Sequence, residues 1–461
     1  MNRTATTRAH GTWLACLALY LVVCAVRWQY VDRYGGTVPF WDEWDAGAAH
    51  LFKPWVEGTL SLSDLWSAHN EHRILPTRLL GLAVFGTVGH WDNHLEAQVN
   101  VFLFALVPAL MFRFALATRQ SWLRIAMAVM VLSVSVLPFS WENFLVGFQS
   151  QFYFLLLAAL GAMALAATRP WGLAANIAMF VLAVLACLTS ASGLLALLAC
   201  AGLYLLRLWL LPREHPVRAL ALAVALVAGA AIAYATTPVV PGHQGLRAQD
   251  AAWLLDAINH VLGWPLKVRH WAPFVLWAPG VAGIVLILVR RRAATSDLFM
   301  LACLAWSLLQ ALAIGYSRGN GLMEVPSRYT DALIPGLVAN AWFALRLLAE
   351  AMEKPAKVRA AALALCAAFF TVYACAQAIR LPGDLAAMRD RHAHSVIQAR
   401  NVACYLDSGA PACLQAGHFQ IPYPDPVRLQ HLLDDPTIRK LLVRCDIVPC
   451  QGQEAGATTA P

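Results

Sequence analysis

Eleven apolar runs, each long enough to cross a hydrocarbon core of about 30 Å as a helix, leave this chain few folds to choose from. They fall near 11–28, 97–117, 122–140, 149–168, 171–188, 192–211, 217–235, 272–289, 296–315, 331–348 and 359–379. A bilayer interior offers no water to backbone N–H and C=O groups, so segments of this kind must satisfy them internally, as helices. With 60% of 461 residues hydrophobic and 13% charged, against about 25% charged in soluble domains, the expected fold is all-α: a polytopic integral membrane protein.

Orientation follows from the basic residues, which cytoplasmic connections retain in excess. Every second connection is basic: Arg3 and Arg8; Arg113, Arg119 and Arg124; Arg169; Arg207, Arg213 and Arg218; Arg290, Arg291 and Arg292; then Arg346, Lys354, Lys357 and Arg359. The N-terminus is therefore expected inside. The loop after the first run, the 141–148 turn, the 236–271 and 316–330 loops and the C-terminal segment are expected outside. The net charge of +8 is spread over connection ends with no basic stripe interleaved with aromatics, which excludes a nucleic-acid partner.

The cysteines fit the same topology. Cys16, Cys24, Cys187, Cys200, Cys303, Cys366 and Cys375 lie in the runs or at their edges, whereas Cys404, Cys413, Cys445 and Cys450 lie in the segment expected outside. An even number in an extracytoplasmic stretch points to two disulfides. Three connectivities are open, and adjacency favours Cys404–Cys413 with Cys445–Cys450.

The outer loop at 29–96 is long for a connection, and loops of that size are commonly functional. Its pieces at 51–66 and 74–90 are amphipathic and carry Trp55, Trp66 and Trp91, as interfacial helices do; Pro76 and Gly81 argue against a full span at 74–90. Two polar islands interrupt it. Trp41-Asp42-Glu43-Trp44-Asp45 packs three acids just beyond a span, where like charges repel unless a cation or proton resolves them. If helical, Asp42 and Asp45 share a face and Glu43 points away. His69-Asn70-Glu71-His72-Arg73 is the second island, with His69, His72 and Arg73 sharing a face if helical. Together they offer a general base, an anion clamp, or a divalent-metal site (Mg or Mn) drawn from Asp42, Glu43, Asp45, His69 and His72.

Further candidates sit at outer mouths of spans: Glu142, Asn143, Gln149 and Gln151 around Trp141 and Phe148; Lys267, Arg269 and His270; and Arg328-Tyr329, with Asp331 close enough to hold Arg328. Polar groups at membrane depth are costly unless they pair or line a cavity. Thr189-Ser190-Ala191-Ser192-Gly193 reads as a small-residue packing break.

An acidic dyad beyond the first span, interfacial helices after it and about ten further spans resemble the GT-C glycosyltransferases. Asp42-Glu43 is similar to the Asp-Glu form of their acidic signature. The strings PFWDEWD, HNEHRI, SWENFLVGFQSQF and PSRYTD are similar to those of a large group of bacterial polytopic membrane proteins. The resemblance implies transfer of a sugar from a polyprenyl-phosphate donor to a glycan, lipid or protein acceptor on the outer face of a bacterial inner membrane. Such a transfer needs a carboxylate to take the acceptor proton: Asp42 is the expected base, Glu43 would orient the acceptor or bind a metal, Asp45 is a second candidate for either role, and Arg73, Lys267, Arg269, His270 and Arg328 are the candidate cations for the leaving phosphate. The expected organisation is a transmembrane domain at 1–379 and a small extracytoplasmic segment at 380–461. A transporter or flippase is the alternative; broken helices at the midplane or an inverted repeat would mark one, and neither is found.

Overall fold

The computed structural model describes residues 3–442 apart from Val268 and His418. The described residues are helical, with one isolated bridge between His69 and His72. The bundle comprises α1 (Arg3–Tyr34), α2 (Asn93–Ala115), α3 (Ser121–Val136), α4 (Ser150–Thr168), α5 (Leu173–Cys187), α6 (Leu194–Leu210), α7 (Pro216–Ala235), α8 (Ala278–Arg290), α9 (Thr295–Arg318), α10 (Ile334–Ala351) and α11 (Ala356–Ser408). Each overlaps one of the apolar runs. By length and composition, eight helical stretches among the described residues can cross a membrane, and α3, α5 and α8 are apolar but shorter.

The packing is that of helices against lipid. Leu14, Ile125, Val181, Val224 and Val285 stand exposed on the outside of the bundle, which suits hydrocarbon and not water. Inside, helices approach through small side chains, as between α6 and α7, where Ala196, Ala199, Ala219 and Ala223 are buried. Association in lipid depends on such close packing because the tails are as apolar as the side chains.

The break between α5 and α6 shows how tight that packing becomes. Thr189 donates its hydroxyl hydrogen to Ala186 O (2.7 Å), and the turn passes Gly193 so close to the end of α5 that a Cβ there would meet Ala186 O at 2.1 Å. The small-residue run is therefore a steric requirement of the turn.

Outside the bundle, the acidic island opens a π-helical stretch, Glu43–Phe52, followed by short helices at Lys53–Val56 and Leu62–Trp66. Leu75–Val88 is one further short helix, with Pro76 in its first turn and Gly89 closing it in the left-handed region (φ 76°). The amphipathic piece expected at 51–66 is thus divided.

The segment after 379 begins inside a helix. α11 does not stop at its apolar run; it continues through Pro382 to Ser408, 53 residues in all. The chain then folds back through helices Pro426–Asp434 and Pro436–Leu441 onto the loop that follows α1. Trp44, Leu51, Phe52, Phe85 and Trp91 share one apolar cluster with Val402, Tyr405, Leu429, Leu433 and Ile438. The loop and the tail thus form a second core, which neither has enough apolar surface to make alone. Cys404 and Cys413 are disulfide-bonded across the end of α11. Cys445 and Cys450 lie outside the described residues.

Replacing Gly193 by Ala should lower the melting temperature in detergent, because the new methyl meets backbone and overpacking typically costs 1–3 kcal/mol or more. Gly229→Ala in α7 is the control: its Cβ would meet Leu197 at an ordinary 3.6 Å, so the melting temperature should hold or rise.

Candidate functional site

Two backbone features aim Asp42. Trp41 takes a left-handed conformation (φ 53°), stacks on Phe419 with ring centroids 5.9 Å apart and donates its N–H to Pro422 O (2.8 Å). The following helix is π-wound, with a wider turn than an α-helix. Asp42 and Asp45 consequently do not share a face.

The three acids have three surroundings. Asp42 is 56% exposed at its side chain and faces a cavity of about 560 Å³, with Oδ2 3.7 Å from His69 Nε2. Burial pushes its carboxyl up, but interaction with His69 and the positive potential of His69, Arg328 and His72 outweigh that and hold it below the ordinary aspartate value. Glu43 is 2% exposed and points away. Its Oε2 accepts from Phe40 N–H (2.5 Å) and its Oε1 from Phe148 N–H (3.0 Å). Burial pushes Glu43 up to about 7 against these two hydrogen bonds and the attraction of Arg391. Asp45 holds the tail: it accepts from Tyr423 Oη (2.5 Å) and from Arg428 Nη2 (2.9 Å).

The second island is a tight turn and not a helix. His69 and His72 exchange backbone hydrogen bonds of 2.8 and 2.9 Å around Asn70, which is left-handed (φ 52°). His69, Asn70, Glu71 and His72 all line the cavity, whereas Arg73 leaves it and donates to Thr236 O (3.1 Å). His72 accepts the Ala191 N–H at Nδ1 (3.1 Å), which fixes that nitrogen as unprotonated; burial accordingly lowers its pKa, to about 4. Glu71 is bonded by His243 Nδ1 (2.6 Å), with Arg318 Nη2 at 3.8 Å.

Arg328 is held by Glu142, not by Asp331. Glu142 Oε1 takes Arg328 Nη1 at 3.2 Å, while its Oε2 accepts from Arg328 N–H (3.0 Å) and the Ser327 hydroxyl (2.7 Å). Asp331 is fully buried and accepts from Asn143 Nδ2 (2.8 Å), so Asn143 braces the wall instead of facing substrate. Gln149 and Tyr329 line the cavity as expected.

Arg269 and His270 do not. Lys267, Arg269 and His270 line no part of the cavity, and Lys267 pairs with Glu324 (2.9 Å). His270 stands instead with Asp256 and His260, their ligand atoms within 4.8 Å of one another, a group that could hold a metal. The set Asp42, Glu43, Asp45, His69 and His72 does not fit a divalent cation. Both Glu43 oxygens are taken by backbone N–H groups, Asp45 is turned to the tail and His72 Nδ1 is occupied.

The cavity also contains groups that the motifs did not point to. The polar extension of α11 lays Ala387, Asp390, Arg391, His394 and Gln398 along it, and Arg318 and His243 complete the far wall. Arg391 lies 3.9 Å over the Phe40 ring and donates to Gln398 Oε1 (3.2 Å), with no ion pair among the described residues. The spacing 387, 390/391, 394, 398 is one helical face, a signal present in the sequence. Phe40, Trp41, Trp141, Phe148, Phe152 and Phe419 supply aromatic walls.

No family model, curated protein or solved structure matches this chain. The site therefore stands on its own geometry.

Glu43 makes a pH-dependent contribution whose sign follows from its raised pKa. The folded state holds the proton that the unfolded state releases above about 4.5, so stability is highest below that pH and falls as pH rises to about 7. The size is roughly 3 kcal/mol. Glu43→Gln should remove this slope from melting curves. It should also destabilise by roughly 1–3 kcal/mol, because the amide nitrogen turns a donor toward one of two backbone N–H groups.

Proposed function

We propose that the chain is a membrane glycosyltransferase that moves a sugar from a polyprenyl-phosphate donor to an envelope acceptor. The observation that carries the reading is the meeting of an ionised, accessible carboxylate, Asp42, with the guanidiniums of Arg318, Arg328 and Arg391 in one aromatic-walled cavity at one end of an apolar bundle. A sugar phosphate has those needs: rings for the apolar sugar face, and cations for the phosphate.

The same reading sets the topology. The cavity lies where α4 and α10 begin and α9 ends, and Arg207, Arg290, Arg291, Arg292 and Arg346 lie at the opposite end. By the retention of positive charge inside, the N-terminus is cytoplasmic, the α1–α11 helices are eleven crossings, and the cavity and tail are periplasmic.

In the reaction, the acceptor hydroxyl oxygen attacks the anomeric carbon while the bond from that carbon to the phosphate oxygen breaks. The hydroxyl proton passes to an Asp42 oxygen, and the electron pair leaves with the phosphate. Arg391, uncommitted to any carboxylate among the described residues, is the readiest cation for that charge, with Arg328 beside it. His69, 3.7 Å from Asp42, orients the base. Glu43 acts only through position, by fixing the backbone next to Asp42.

Asp42→Asn keeps the size and removes the base. Transfer from a labelled polyprenyl-phosphate sugar by the purified protein should fall by at least about 10²-fold, with melting temperature and membrane insertion retained. Arg391→Ala should weaken donor binding. Undiminished transfer by Asp42→Asn would sink the assignment, as would liposomes in which the protein flips lipid but never transfers sugar.

A further inference from the structure

The end of the bundle opposite Asp42 holds a second cavity, of about 750 Å³, between the C-terminal ends of α4, α6, α8 and α10 and the start of α9. Five arginines line it, Arg207, Arg290, Arg291, Arg292 and Arg346, against two acids, Asp297 and Glu350. The retention of positive charge on cytoplasmic connections explains basic residues on loops. It does not explain a lined cavity or the state of Arg207.

Arg207 is only 8% exposed. Its Nη2 donates to Ala167 O (2.7 Å) and Ala166 O (3.2 Å), but its Nε is buried without a partner. Arg207 thus bonds only to backbone carbonyls and has no carboxylate partner among the described residues. The two acids are engaged elsewhere: Glu350 pairs with Arg290 and with Arg346 (3.3 Å), and Asp297 with Arg346 (3.5 Å) and the Trp342 indole N–H (2.9 Å). Arg291 and Arg292 are exposed and form no ion pair among the described residues. Arg291 sits 4.7 Å over the Trp209 ring, the arrangement of an interfacial anchor.

The remaining walls are apolar, Leu210, Leu211, Leu286 and Ile287, with Leu211 45% exposed. Anion-seeking groups on one side and a greasy exit on the other match one molecule. We propose that this cavity binds an anionic glycerophospholipid, its phosphate oxygens on Arg207, Arg291 and Arg292 and its acyl chains along Leu211 and Leu286. Basic pockets between helices at a membrane surface are known to favour such headgroups.

The test uses the full-length protein in detergent, with retained lipid counted by native mass spectrometry. The probes are phosphatidylglycerol, phosphatidylcholine with the same acyl chains, and inorganic phosphate. Phosphatidylglycerol should be retained in preference to phosphatidylcholine. The double variant Arg291→Gln/Arg292→Gln, both exposed and outside the packed core, should reduce that preference roughly thirtyfold, at about 1 kcal/mol per basic residue. Arg207→Ala should abolish it, and the double variant keeps the proposal testable if Arg207→Ala fails to fold. Equal retention of the two lipids, or a preference untouched by the double variant, would overturn the proposal. Inorganic phosphate binding with no lipid preference would also overturn it, in favour of a soluble phosphate compound.

Discussion

A single buried carboxylate organises the cavity end of this protein. Glu43 bonds the backbone of its own loop at Phe40 and that of the α4 approach at Phe148, so one side chain joins the long acidic loop to the bundle. The Phe148 turn is itself pinned: Gly147 N–H donates to Asn93 Oδ1 (2.7 Å) and Gly147 O accepts from Asn100 Nδ2 (2.7 Å). Asp42 inherits its position from this arrangement. Of two adjacent acids, one is desolvated to hold the backbone, which leaves the other free to face the cavity with its charge intact. The opposed directions of their pKa shifts express that division of labour.

The second organising element is α11. Its apolar half belongs to the bundle and its polar half rises beyond it, so one continuous rod carries Arg391 and His394 to the cavity and Val402 and Tyr405 to the second core. The tail then returns over the acidic loop through Arg428–Asp45, Lys53–Asp435 and the Trp41–Phe419 stack. The cavity wall therefore draws on residues nearly 380 positions apart in sequence, as the Tyr423–Asp45 hydrogen bond illustrates.

The bundle was legible because bilayer helices announce themselves as uninterrupted apolar runs; each expected run has a helix over it, and the helix at Leu75–Val88 is, as Pro76 and Gly81 foretold, shorter than a full span. Asp42, His69, Glu142, Gln149 and Arg328 were legible as polar residues set at the mouths of apolar helices, and one cavity gathers them. What could not be read was direction. A π-wound stretch separates Asp42 from Asp45, and a four-residue turn splits Arg73 from the histidines, because α-helical spacing does not hold where the backbone is not α-helical. Pro382-Gly383 hid the extension of α11, since that pair usually ends a helix. Arg391 was lost with it, although its helical stripe was in plain sight.

The shared core of loop and tail imposes an order on biogenesis. The acidic loop leaves the ribosome early, yet Trp44 and Phe52 have no complete shelter until Leu429, Leu433 and Ile438 arrive some four hundred residues later. Until then the loop is a greasy, unfinished surface beside a membrane. The nascent protein must pass through a long interval in which its helices are inserted but its cavity is still open on the side the tail will cover.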